Sequence, residues 1–123
     1  MTTRVLNPAE WARVPPDTGL TKLLPYCEPE NTDVVVVEDE NGEIVAAVCA
    51  LRVTHFEGLW LEPKHRGNAG TFRALIKQAY EIPRSRGEKF VFGGAKDSQM
   101  STLCTRLGGG EVAMKLYALP VVR

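Results

Sequence analysis

The sequence predicts a mixed α/β (α+β) domain: a central, mostly antiparallel sheet carrying one βαβ unit, with flanking helices. Three observations predict it. A β-branched run, Asp33-Val34-Val35-Val36-Val37-Glu38, leads into Asn41-Gly42, the strongest short-range hairpin signal in the chain. The stretch from Phe56 to Ile76 reads as a strand, a basic glycine-bearing loop and an amphipathic helix. After it, strand and helix alternate, which is the order of a βαβ unit. A chain of 123 residues has the length of one domain, here 1–123, and can bury a hydrophobic core without disulfides or metals.

Taken in order, Arg4-Val5-Leu6 reads as a first strand. Asn7-Pro8-Ala9-Glu10 reads as a helix start, with Asn as cap, Pro at the first helical position and Glu three residues past the cap. Val14-Pro15-Pro16 ends that helix, because proline disfavours helical geometry in the residue before it. A second short helix is expected from Thr18 to Leu24. The valine run is expected as a strand buried on both faces. Glu43 to Val53 returns as the other arm of the hairpin, and Ala46, Ala47 and Ala50 imply close packing against it. His55 to Glu62 is a third strand, ended by Pro63. From Thr71, the apolar residues Phe72, Leu75, Ile76, Ala79 and Tyr80 recur at helical spacing and predict a core-facing helix that stops at Pro83. Lys89 to Phe92 is a short strand, Asp97 caps a last helix reaching Leu107, and Glu111 to Val122 returns as one strand or as two interrupted at Pro120.

Composition excludes several classes. Lys plus Arg and Asp plus Glu number 15 each, so there is no net charge to favour nucleic acid or a membrane surface. Cys27, Cys49 and Cys104 form no CxxC and no zinc-like spacing with His55 and His65, so no metal is expected. An odd number of scattered cysteines suits a reducing compartment. No apolar run reaches membrane-spanning length and no signal-peptide pattern opens the chain, so a cytoplasmic location is expected.

The chemistry concentrates after the third strand. A strand that feeds a glycine-bearing loop into a helix is a built anion site, because the first helical N–H groups have no intrahelical partner and the dipole favours negative charge there. Arg66-Gly67-Asn68-Ala69-Gly70-Thr71 is that loop, and Lys64 and Arg66 would help neutralise a phosphate. The competing reading is an ordinary βα loop with solvated cations.

These residues carry a resemblance. Leu59-Trp60-Leu61-Glu62-Pro63-Lys64-His65-Arg66-Gly67 resembles the strand-and-turn consensus of the GNAT superfamily of acyl-CoA-dependent N-acyltransferases. Glu57 falls where many members carry a glutamate, and Leu103-Cys104-Thr105-Arg106-Leu107-Gly108-Gly109 resembles that family's last helix. The resemblance runs from about Asp33 to Tyr117. It implies acetyl-CoA or another acyl-CoA as substrate, held by Arg66, Gly67, Asn68, Ala69, Gly70 and Thr71. A backbone N–H near Leu61 would polarise the thioester. Glu57 would be the general base, and Cys104 or water would return the proton to the thiolate. The acceptor would be a small amine or a protein amine, attacking directly without a covalent enzyme intermediate.

The chain also departs from that pattern. Ala69 and Thr71 stand where the family's loop carries glycines, and Gly67 and Gly70 are out of phase; a rival register would use Gly70 as the closing glycine. Cys104 replaces the tyrosine that, in many members, protonates CoA, and its side chain is much shorter. The family's seventh strand, which often shapes the acceptor pocket, is expected to be reduced or missing. Each residue also has a plainer reading. Glu57 would face solvent or pair with Arg52, with His55 on the same strand face. Cys104 would be a core cysteine beside Met100 and Leu107, the preferred reading. Cys27 and Cys49 read as packing residues, and Trp11 and Trp60 as packing anchors rather than ligand stackers. The rival function follows: a GNAT fold whose chemistry has lapsed, serving as a structural or binding module in a homo-oligomer or a larger assembly such as a phage virion.

Overall fold

A computed structural model describes residues 1–94, 98–110 and 119–121. The valine run forms the centre of a three-stranded antiparallel sheet in the order β1-β2-β3, with β1 Thr2–Val5, β2 Thr32–Glu38 and β3 Ile44–Leu51. The hairpin signal is met in detail. Asp39 Oδ1 accepts from the N–H groups of Asn41 and Glu43, both at 2.9 Å, and Gly42 N–H reaches the Asp39 carbonyl at 3.0 Å. Aspartate opening the turn thus holds it from inside. The register sets Val35 opposite Val48 and Val36 opposite Ala47.

The core lies on one face of this sheet. Val34 and Val36 are fully buried against Leu6 and Val14, with Trp11, Leu20, Leu24, Ile44 and Cys49 packed around them. The other face of β2 is only half-buried at Val35 and Val37, so the expectation of a strand buried on both faces is corrected. Ala46, Ala47 and Ala50 of β3 are likewise exposed rather than closely packed. A continuous apolar run does not by itself tell a two-sided strand from a one-sided one.

The N-terminal segments cover the core. Pro8–Arg13 is a 3-10 helix rather than an α-helix, and Asn7 makes no side-chain capping bond. Six residues ahead of Val14-Pro15 are too few for a stable α-helix, and 3-10 geometry suits such short pieces. Helix α1, Gly19–Leu23, follows and continues as a 3-10 turn over Leu24–Tyr26. Glu10, expected three residues past the Asn7 cap, faces a cluster of charges. Arg4 Nε meets Glu38 Oε1 at 2.7 Å, Arg13 Nη2 meets Glu38 Oε2 at 2.7 Å, and both guanidiniums reach Glu10 Oε2 at 2.8 Å.

This four-membered network ties β1, the first 3-10 helix and the end of β2 together, with Glu38 only 8% exposed. The hydrogen bonds from Arg4, then Arg13, lower both carboxyls from their ordinary 4.5 to about 2. Depressed carboxyl pKa values stabilise the fold above the unfolded value, and that stability is lost as pH falls through the folded value. We therefore expect the melting temperature to fall as pH drops from 4.5 towards about 2. A Glu38→Gln variant should melt lower at neutral pH and respond less to acid over that window. Scanning calorimetry across the window checks this; equal acid sensitivity in the two proteins would remove the network from the account.

The second half of the described chain is built around a parallel pair of short strands, β4 His55–Phe56 and β5 Phe92–Gly93. Between them runs helix α2, Ala69–Ser85, and after them helix α3, Ser98–Arg106. Helix α2 starts two residues before Thr71 and continues past Pro83, which is buried in its last turn. It ends where Gly87 N–H meets the Arg84 carbonyl and Glu88 N–H meets that of Pro83, at 3.1 and 3.0 Å. Asp97, expected as the cap of α3, lies outside the described residues. So does most of the strand expected over Glu111–Val122; its described members Leu119, Pro120 and Val121 are irregular and exposed.

Candidate functional site

Among the described residues, the strand expected from His55 to Glu62 pairs only at His55 and Phe56. Two residues later Gly58 has φ +71°, outside the extended region, and the ladder cannot continue through it. The segment Leu59–Leu61 therefore leaves β5, and its N–H groups meet no carbonyl among the described residues. The expected partner strand from Lys89 is correspondingly short, pairing among the described residues only at Phe92 and Gly93.

Where the two segments part, a cleft of about 580 Å³ opens. Glu57, Leu59 and Trp60 line it from the diverging segment, and Phe92, Gly93 and Gly94 from β5 and the residue after it. Phe72, Leu75, Ile76, Ala79 and Tyr80 line it from α2, and Cys104 and Leu107 from the end of α3. Phe56 and Tyr80 pack edge to face, 5.4 Å between ring centres, and form one wall.

Glu57 is the cleft's one acidic side chain among the described residues. Its Oε1 lies 3.0 Å from His55 Nδ1, with the two side chains 43% and 28% exposed. The contact is one of distance rather than alignment, since Nδ1 makes no hydrogen bond. Arg52, the plainer partner for Glu57, pairs with Asp33 at 2.9 Å instead. Gly94 closes on Glu57 from the facing strand: a Cβ there would stand 2.8 Å from Oε1. Cys104 is half-buried. Its carbonyl accepts from Gly109 N–H at 2.9 Å, and Gly108 N–H reaches the Thr105 carbonyl at 3.0 Å, fixing the turn that ends α3. The Met100 side chain, expected beside it, lies outside the described residues.

The anion loop sits at the start of α2, and none of its residues lines the cleft, although Phe72, the next residue, does. Asn68 is the N-cap: its Oδ1 accepts from Gly70 N–H at 2.9 Å, so one helix-terminal donor is already engaged. Thr71 N–H reaches the Asn68 carbonyl at 3.2 Å. Arg66 folds back, Nε to the Leu61 carbonyl at 3.2 Å. Lys64 stands 3.5 Å from Glu62. Gly67 and Ala69 complete the loop, with nothing within 4 Å of a Cβ built at Gly67. The structure thus brings Glu57 and Cys104 to one cavity and gathers Leu61 and Arg66–Thr71 beside one helix end, as two neighbouring groups.

Burial pushes the Cys27 thiol up to about 11, with Cys49 adding to the shift, and raises Cys49 as well, in keeping with packing residues. Trp11 packs on the core as expected. Trp60 does not anchor packing: it is 70% exposed at the cleft. The α2 face expected in the core lines the cleft, with Leu75 45% exposed. Periodicity identifies an apolar helix face but not what it faces. The signals that could have found it are the aromatic residues Phe72 and Tyr80 at its ends and Gly93-Gly94 across from them.

Among the described residues no helix is long and apolar enough to cross a membrane, and no group of three potential metal ligands occurs. No family model matches the chain, and no curated protein matches it. Solved structures do. An aminoglycoside 6'-N-acetyltransferase, AAC(6')-Ig from Acinetobacter haemolyticus, is 17% identical with all of both chains covered and a TM-score of 0.43. An acetyltransferase from Trypanosoma brucei is 20% identical, covering 98% of this chain and 99% of its own, at 0.44. Aminoglycoside N-acetyltransferase AAC(6')-Iy, in complex with CoA, is 15% identical, covering 98% and 100%, at 0.46. At these identities and TM-scores the likeness says nothing of this chain's activity. The chain is a mixed α/β protein with an antiparallel sheet and flanking helices, and these three solved structures to which it is similar along their whole length are acetyltransferases.

Proposed function

We propose that this chain is an acyl-CoA-dependent N-acyltransferase that passes an acetyl group from acetyl-CoA to an amine. One observation carries the reading: the cleft opened by the parting of β4 from β5 has Glu57 and Cys104 in its lining and the first turn of α2 at its margin. In this reading the amine nitrogen attacks the thioester carbonyl, the C–N bond forms and the C–S bond breaks. Glu57 takes the proton that the nitrogen loses, and Cys104 or water returns one to the departing thiolate. The N–H groups of Leu59–Leu61, which meet no carbonyl among the described residues, would be the donors available to the developing oxyanion. Arg66, Gly67, Asn68, Ala69, Gly70 and Thr71, with Lys64, would hold the pyrophosphate. Positioning and oxyanion stabilisation carry most of the rate, since no covalent intermediate is needed.

A second reading has its own observation. Asn68 already occupies Gly70 N–H, and Arg66 is turned onto Leu61. A loop satisfied from within suits a module that has given up CoA, within a larger assembly. Isothermal titration with acetyl-CoA, and with CoA alongside, separates the two. We expect micromolar binding, with Asn68 and Arg66 exchanging their internal partners for phosphate oxygens. No heat at millimolar ligand would overturn acyl transfer and leave the structural module.

A further inference from the structure

We infer that the acceptor is a monoamine carried on an apolar, preferably aromatic, body, and not a polycation. The inference rests on the acyltransferase reading and names the substrate class for the same cleft. It comes from the charge and surface of the lining. Among the described residues Glu57 is the one charged side chain that borders the cleft, with His55 beside it at 3.0 Å. A single carboxylate matches a single ammonium. A second ammonium drawn into this cleft would lose its water and find no other carboxylate among the described lining residues, which is costly for any ion taken from solvent. Apart from Cys104, the other side chains of the described lining are aliphatic or aromatic, set among glycines, with Phe56 and Tyr80 packed edge to face and Trp60 largely exposed. An apolar body gains by entering such a surface, and an ammonium held at Glu57 shares the cleft with Phe56, Trp60, Phe72 and Tyr80, aromatic rings of the kind that attract cations. Small polar amines gain the carboxylate contact but nothing from the walls.

The test uses the full chain and three probes: phenethylamine, spermidine and ethanolamine. Binding is measured by titration calorimetry with and without CoA, and transfer by chromatographic detection of the acetylated amine. Phenethylamine should bind at least about tenfold tighter than either other amine, the scale expected of a ring-lined cation site. Trp60→Ala should weaken phenethylamine about tenfold, and Trp60→Phe should recover most of that loss. Trp60 is exposed, so both variants should fold, which circular dichroism checks. Spermidine or ethanolamine binding as tightly, indifference to Trp60→Ala, or no amine binding with or without CoA would each overturn the inference. Failure of the underlying reading looks different: phenethylamine then binds selectively but no acetylated product forms. Transfer to spermidine in preference would keep the acyltransferase and remove the monoamine.

Discussion

Replacing Glu57 with Gln should lower kcat for acetyl transfer by about 10²- to 10⁴-fold, the range that a positioned general base contributes. The substitution keeps the size and planarity of the side chain and removes its ability to accept the amine proton. The fold should be indifferent to it. Glu57 is 43% exposed, and its near neighbours are His55 Nδ1 at 3.0 Å and the Gly94 backbone, so no buried charge is left unpaired. Acetyl-CoA affinity should also hold, because Arg66–Thr71 lies outside the cleft lining to which Glu57 belongs. Steady-state kinetics beside a titration with acetyl-CoA separate the two effects. An unchanged kcat removes Glu57 as base. A loss of affinity together with kcat would mean that the carboxylate serves ligand placement instead.

The sequence made the sheet legible where the signal was local. The valine run and the Asn41-Gly42 turn each carry a local signal, so the hairpin was legible, though its register, with the irregularity at Val37/Glu38, was not. Helix α2 was legible in type but not in role. Its apolar stripe has the same periodicity whether it meets a core or a cleft, and only the divergence of β4 from β5 decides which. That divergence turns on Gly58, one glycine among 11, whose positive φ has no signature in composition. The charge network was illegible for another reason. Arg4, Glu10, Arg13 and Glu38 are scattered along the chain and meet only after β1 pairs with β2. Glu57 and Cys104 were legible as candidates because each sits in a recognisable local pattern. Their shared cavity was not, since it depends on how α3 is placed against a strand some forty residues earlier.

Gly94→Ala should leave the protein at least as stable and cut the rate on the order of 100-fold. The added Cβ would stand 2.8 Å from Glu57 Oε1, 3.1 Å from Oε2 and 3.3 Å from Cδ, all inside ordinary contact distance. Only the far end of a flexible side chain is in the way, so the carboxylate gives and the backbone does not. Gly94 is exposed and does not have a positive φ, so alanine fits its conformation. A compatible Gly→Ala change gains about 0.4–1 kcal/mol by narrowing the unfolded ensemble. The carboxylate, by contrast, must retreat by roughly half an ångström or more to restore van der Waals contact. Misplacing a reacting group by about 1 Å costs on the order of 10² in rate. Because the loss acts through Glu57, it should vanish in the Glu57→Gln background: the double variant should be no slower than Glu57→Gln alone. Full additivity in that cycle would mean that Gly94 shapes the cleft for the substrate and not for the base. An inert Gly94→Ala, with Glu57→Gln still inactive, would place the working position of the carboxylate away from β5, on the side where His55 stands.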